Sequence, residues 1–140
     1  MIKWTPRLEV GIDLIDTQHR QLIDYLNRLH AAMMSSQSRA EVPKLLAFLS
    51  EYIVSHFRAE ERLMRLHGYE HLAEHEAAHE SFMREFELAA AVSEQVRFSP
   101  VSTIKLNTLL CDWLVEHIGR NDRRLGAFLQ RKGLTVGASS

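Results

Sequence analysis

The amino-acid sequence predicts an all-α protein, an up-down-up-down four-helix bundle preceded by an extended N-terminal arm. Three observations lead there. Helix breakers are scarce: the 140 residues hold three prolines and six glycines, with Pro6, Pro43 and Pro100 near element starts and Gly11, Gly68 and Gly133 at element edges. Apolar residues recur at three- and four-residue spacing along four separate stretches. The connections between those stretches are short, which favours antiparallel neighbours.

The arm covers residues 1–16, where no helical period is visible and Pro6 and Gly11 interrupt the chain. Asp16 is expected to cap the first helix, its carboxylate accepting from the free N–H groups of the first turn. That helix, about 17–36, carries His19, Leu22, Ile23, Leu26, Leu29 and Met33 on one face, and the run Ser35 to Ser38 ends it. The second helix, about 40–66, presents Val42, Leu45, Leu46, Leu49, Ile53, His56, Glu60 and Leu63. Pro43 is expected in its first turn, where a missing N–H is harmless, and Gly68 is expected to close it in a left-handed conformation. The third, about 71–95, presents Leu72, His75, His79, Phe82, Met83 and Phe86. Phe98 to Pro100 separate it from the fourth, about 102–131, with Leu106, Leu110, Trp113, Leu114, His117, Ile118, Leu125 and Phe128 inward. Residues 1–131 therefore read as one domain, and 132–140 show no pattern and are expected to fray.

Composition narrows the function classes. Hydrophobic residues make up 46% and charged residues 25%, with a net charge of −1, the mix of a soluble globular domain. Without a basic stripe there is no footprint for nucleic acid and no polybasic membrane patch. No apolar run approaches the ~18 residues that span a bilayer. Cys111 is the only cysteine, so no intrachain disulfide forms, and the N-terminus lacks the apolar core of a signal peptide. Those features point to a cytoplasmic location, with a monomer as the default.

The chemistry lies in what interrupts the apolar stripes. Eight histidines are spread from His19 to His117. The first helix places His19 on its inward face, the second His56 and Glu60, the third His75 and His79, and the fourth His117 with Asp122 nearby. A residue four positions on is rotated by only about 40°, so His56 and Glu60 point the same way, as do His75 and His79. One histidine on an apolar stripe is usually a hydrogen-bonded core residue. Four helices each contributing such groups is a different pattern. Buried without compensation, each ionised group would cost several kcal/mol, and bound cations would offset that by neutralising carboxylates and taking imidazole lone pairs. His117 and Asp122 are five apart, a rotation of about 140° on a regular helix. Either the helix widens there into a π turn, which Gly119 would ease, or Asp122 is not a ligand. His30 and His67 each lie eleven residues from such a group, about 16 Å along the axis, and His71 falls at a helix start; none is expected to coordinate.

The run from Val10 to His19 (VGIDLIDTQH) resembles the start of the hemerythrin family. So do His56 to Glu60 (HFRAE) with Glu61 and Met64 following, and Gly68-Tyr69 leading to His75 to His79 (HEAAH). Trp113 to Asp122 (WLVEHIGRND) completes the set. The resemblance covers roughly residues 2–130 and is to single-domain bacterial members. It implies that Asp122 is a ligand despite its spacing. One iron would take His75, His79 and His117, the other His19 and His56, with Glu60, Asp122 and an oxo or hydroxo group bridging both. Two departures, Glu70 where proline is common and Leu125 where tyrosine is frequent, fall outside the ligands.

Counting donors in that implied set gives six on one iron and five on the other, which leaves one open position. Five imidazoles outnumber two carboxylates, so there is little anionic donation to stabilise high-valent iron. The resemblance therefore implies reversible O₂ binding for storage, delivery or buffering, with anions such as azide able to occupy the open iron and with no catalytic residues. A peroxidase or nitric-oxide scavenger, or an oxygen- or redox-sensing or iron-handling module, is the rival reading. By the same resemblance Leu114, Ile118, Trp113 and Phe57 line the O₂ pocket.

Overall fold

The computed structural model describes residues 2–35 and 38–134. Residues 36–37 of the expected break at Ser35 to Ser38, and 135–140 of the expected tail at 132–140, lie outside the described residues; Ser38 already belongs to the second helix. Four long helical stretches pack in a ring: α1 (Asp13–Met33), α2 (Ser38–His67), α3 (Leu72–Gln95) and α4 (Pro100–His117). A π-helical segment, Ile118–Asp122, runs straight on from α4 into α5 (Arg123–Arg131). Each helix packs on the next, and α4 closes the ring against α1, so the chain runs up, down, up and down. The apolar stripes meet along the axis, where Leu22, Leu29, Leu49, Met64, Leu106, Leu110, Ile118 and Leu129 are fully buried. Among the described residues no helix is long and apolar enough to cross a membrane.

Local chemistry explains the helix ends. Pro100 opens α4 and the Ser99 hydroxyl accepts from Ser102 N–H at 3.3 Å. That serine cap followed by proline at the first position starts the helix two residues before its apolar period becomes visible. Gly68 closes α2 at φ +68°, and Tyr69 N–H donates to Met64 C=O at 2.9 Å, burying Tyr69. The same cap recurs after α5, with Gly133 at φ +93° and Leu134 N–H donating to Leu129 C=O at 3.0 Å. Glycine tolerates this backbone because it has no Cβ, and the following residue tucks against the helix. Leu134 is accordingly buried, so Lys132–Leu134 belong to the folded unit and the expectation of a loose tail from residue 132 is corrected.

Two further expectations change. Pro43 sits six residues into α2, beyond the first turn, where its missing N–H removes one helical hydrogen bond. Asp16 is not a cap. The helix begins at Asp13, and the buried Asp16 carboxylate turns back to accept from Val10 N–H at 2.8 Å and Gly11 N–H at 3.2 Å. It anchors the arm, which is docked rather than free. Pro6–Leu8 form a 3₁₀ turn against the π segment, and Leu8, Val10 and Ile12 are buried. Asn27 pins the start, accepting from Ile2 N–H at 3.0 Å and donating to Ile2 C=O at 2.9 Å.

The arm reaches α5 so closely that only glycine fits at 126. A methyl group there would overlap the Val10 carbonyl oxygen and lie 3.0 Å from Val10 Cβ. Gly126→Ala is therefore expected to lift the arm and destabilise the protein by about 1–3 kcal/mol. Gly119→Ala, with open space around its Cβ, should stay within about 0.5 kcal/mol of the parent. Urea unfolding of the two variants checks this, and equal midpoints would refute the close-packing argument.

Candidate metal centre

The bundle brings all seven metal-competent side chains to one point on its axis. His19 comes from α1, His56 and Glu60 from α2, His75 and His79 from α3, His117 from the end of α4 and Asp122 from the end of the π segment. Each is buried, and His19, Glu60 and Asp122 have no accessible surface. The helix does widen between His117 and Asp122: residues Ile118–Asp122 form a π turn. Its wider repeat returns a residue five positions on to the same face, and so turns Asp122 inward.

Each imidazole meets the carboxylates through Nε2, and each carboxylate divides its two oxygens. Glu60 Oε1 lies 3.2 Å from His75 and 3.1 Å from His79, while its Oε2 lies 3.5 Å from His19 and 3.3 Å from His56. Asp122 Oδ1 lies 3.0 Å from His75 and 3.1 Å from His117, and its Oδ2 lies 2.9 Å from His19. Two overlapping groups result, Glu60–His75–His79–His117–Asp122 and His19–His56–Glu60–Asp122, with both carboxylates common to the two. Within each group the donor atoms lie within 4.8 Å of one another.

His75 Nε2 and Glu60 Oε1 are hydrogen-bonded at 3.2 Å, but proximity does not satisfy every atom. His19 Nε2, Glu60 Oε2 and both oxygens of Asp122 are buried without a hydrogen-bond partner despite their short contacts. Buried polar atoms are normally satisfied, and an orphan costs about 1–3 kcal/mol. Four such atoms converging on one space, from donors that suit divalent or trivalent iron, fit a bound metal pair. The cluster is suited to a metal centre.

The electrostatics fit as well. Burial alone would push the His19 imidazole down, but Asp122 and Glu60 beside it outweigh burial and raise it to about 9. His75 is likewise raised to about 9 against burial by Asp122 and Glu60. Burial would raise the Glu60 carboxyl, yet His56, His19 and His75 hold it well below the usual carboxylate range. Burial and Glu60 oppose ionisation of Asp122, and His117 and His19 override them to hold it low. Without metal the cluster therefore balances carboxylates with protonated imidazoles, and protons occupy the positions that cations would take.

Aromatic rings wall off one side. Phe57 stacks on His79 with centroids 3.7 Å apart, and Trp113 stacks on His117 at 4.3 Å. Leu114 and Ile118 are buried beside them, and Trp113 is half-buried. A small apolar cavity of about 10 Å³ opens next to these groups, lined by Phe57, Trp113 and Leu114 together with Leu22, Leu26 and Phe82 among others. Ile118, next to His117 in the chain, is fully buried but does not line that cavity.

Two residues that the stripe pattern does not reveal also touch the cluster. Gln18 Oε1 accepts from His56 Nδ1–H at 2.7 Å, and Glu61 Oε2 accepts from His79 Nδ1–H at 2.8 Å. Each is the sequence neighbour of a metal-competent residue and so is rotated by about 100° from it. That puts it on the flank of the buried face, reaching the next helix. In the sequence, the signals are adjacency to His19 and Glu60 and a place in or beside the two runs that carry the family resemblance. His71 is half-exposed beside Glu70 and Glu74, apart from the cluster.

Comparison with known proteins gives a consistent result. The family model described as the hemerythrin HHE cation binding domain matches residues 10–129. A bacteriohemerythrin of Stenotrophomonas maltophilia is 37% identical over 126 residues, which cover 88% of this chain and 78% of that protein. A bacteriohemerythrin of Methylococcus capsulatus is 29% identical over 131 residues, covering 92% and 97% respectively. A crystal structure of wild-type hemerythrin aligns with a TM-score of 0.79 at 29% identity, covering 92% of this chain and 98% of that one.

The raised histidines fix the sign of a pH dependence. An imidazole at about 9 in the folded state, against 6.5 unfolded, stabilises fully below 6.5, and that stabilisation is lost as pH rises through 9. The lowered carboxyls stabilise above their ordinary values of 4.5 and 3.8, and lose that contribution in acid. Metal-free protein should therefore be most stable between these limits and weaken steadily from pH 7 to 9.5. Metal loading near pH 7 should expel about two protons, those of His19 and His75. Unfolding midpoints against pH, and calorimetry in buffers of different ionisation enthalpy, measure both; a flat alkaline profile would contradict the assignment.

Proposed function

The chain belongs to the hemerythrin family, and on that premise we propose that it binds O₂ reversibly at a non-haem di-iron centre, for oxygen storage, delivery or buffering. The observation that carries the proposal is the division of the two carboxylates between a three-histidine and a two-histidine group. His75, His79 and His117 would hold one iron, His19 and His56 the other, with Glu60 and Asp122 shared. Two irons with an oxo or hydroxo bridge would supply the O₂-binding chemistry, and the half held by only His19 and His56 would have fewer protein donors.

The remaining work falls to the protein. Phe57 and Trp113 cover the faces of His79 and His117 and keep water from the imidazoles. Leu114 and Phe57, on the wall of the apolar cavity, favour a small neutral molecule over water or anions, because neither can recover its hydrogen bonds there. Exclusion of water and anions is what makes release of O₂ faster than loss of the reduced state. Five imidazoles from four helices give the centre little anionic donation, which favours binding over oxidation of a second substrate.

Anaerobic reduction followed by exposure to air, monitored by visible absorption, tests the proposal. A charge-transfer band that appears with oxygen and disappears under vacuum, with two irons per chain, is the expected result. Irreversible bleaching with turnover of peroxide or nitric oxide would replace the carrier with an enzyme. In the same assay Leu114→Ala opens the cavity wall and should speed autoxidation and azide binding about tenfold, the factor that 1.4 kcal/mol of lost exclusion corresponds to. Parent-like rates would remove Leu114 from the pocket.

A further inference from the structure

The two halves of the buried cluster differ in what stands behind their imidazoles. In the three-histidine half, His79 Nδ1 is 2.8 Å from the Glu61 carboxylate. In the two-histidine half, His56 Nδ1 is 2.7 Å from the Gln18 side-chain carbonyl, and His19 Nδ1 is buried with no hydrogen-bond partner. Those oxygens accept, so Nδ1 carries the proton in both pairs and each Nε2 turns its lone pair to the centre. The two acceptors are not equivalent. An ionised carboxylate draws on the Nδ1 proton more strongly than an amide carbonyl does. Electron density moves onto the ring, and its Nε2 becomes the better donor.

We infer that Glu61 and Gln18 are positioning residues that set unequal donor strength in the two halves, so that the His75–His79–His117 half takes its metal ion first and holds it more tightly. This rests on the metal-centre reading above and adds to it an order of filling and two residues outside the proposed ligands. Donor number already favours the three-histidine half, and the charged acceptor behind His79 widens the gap. Placement supports the role. Glu61 reaches from α2 to α3 and Gln18 from α1 to α2, so each locks a ring on the neighbouring helix. The Glu61 side chain is 18% exposed, so Glu61→Gln, nearly equal in shape, leaves the core packing alone.

Zn(II) is a suitable probe because it is redox-inert and diamagnetic and accepts imidazole and carboxylate donors. Calorimetric titration of metal-free protein against a competing chelator resolves the two binding steps. Long-range ¹H–¹⁵N spectra of the loaded protein follow the His79 Nδ1 proton. Wild type should take up two ions in two distinct steps. Glu61→Gln should weaken the first step 10–100-fold, leave the second within about threefold, and shift the His79 Nδ1 proton upfield. Gln18→Glu should strengthen the second step about tenfold and spare the first. A Glu61→Gln protein with an unchanged first step and His79 resonance, or with both steps weakened equally, overturns the inference and leaves the metal-centre reading standing. A wild-type protein that takes up no pair of ions removes both.

Discussion

The structure depends on the burial of two carboxylates, Glu60 and Asp122, at the centre of a helical bundle among five imidazoles. Ionised groups leave water only when something of opposite charge replaces it. Protons on His19 and His75 do so in the metal-free protein, and a metal pair would do so better, because it also satisfies the orphaned atoms of His19, Glu60 and Asp122. Each of α1 to α4 supplies at least one imidazole to the cluster, so its balance of charge depends on how those four helices are placed.

Much of the surrounding architecture serves that requirement. The π turn at Ile118–Asp122 exchanges regular α-helical hydrogen bonding for one extra residue, which is the least distortion that turns Asp122 inward beneath His117. The arm crosses that turn and is tied by Asp16, Asn27 and the close fit of Val10 to Gly126. Its Leu8, Val10 and Ile12 are buried at the end of the bundle that holds the cluster. The two glycine caps, after α2 and after α5, bury Tyr69 and Leu134 at the same end. Aromatic stacking covers the three-histidine side, and an apolar cavity lies beyond it along the axis.

Asymmetry runs through the whole site. Three imidazoles face two across the shared carboxylates, and a charged acceptor backs one half while a neutral amide backs the other. A symmetric pair of sites would saturate two metal ions alike. An unequal pair would leave one ion with fewer protein donors, the condition for binding a further small molecule.

Helical periodicity alone determined the class of fold, the four long helical stretches and six of the seven residues of the buried cluster. His19, His56, Glu60, His75, His79 and His117 all fall on apolar stripes at regular spacing, and such a pattern is local. Asp122 does not, and the residues leave two alternatives open; the resemblance to hemerythrins placed it in the set, and the backbone of the π turn shows how it gets there. Tertiary structure alone decided the rest. Asp16 as an arm anchor, Gly126 as a close-approach point, Leu134 as a buried cap residue, and Gln18 and Glu61 behind the imidazoles all depend on a partner distant in the chain. A sequence pattern reports which side of its own helix a residue faces. It carries no information about what the next helix places opposite, and those pairings govern the chemistry here.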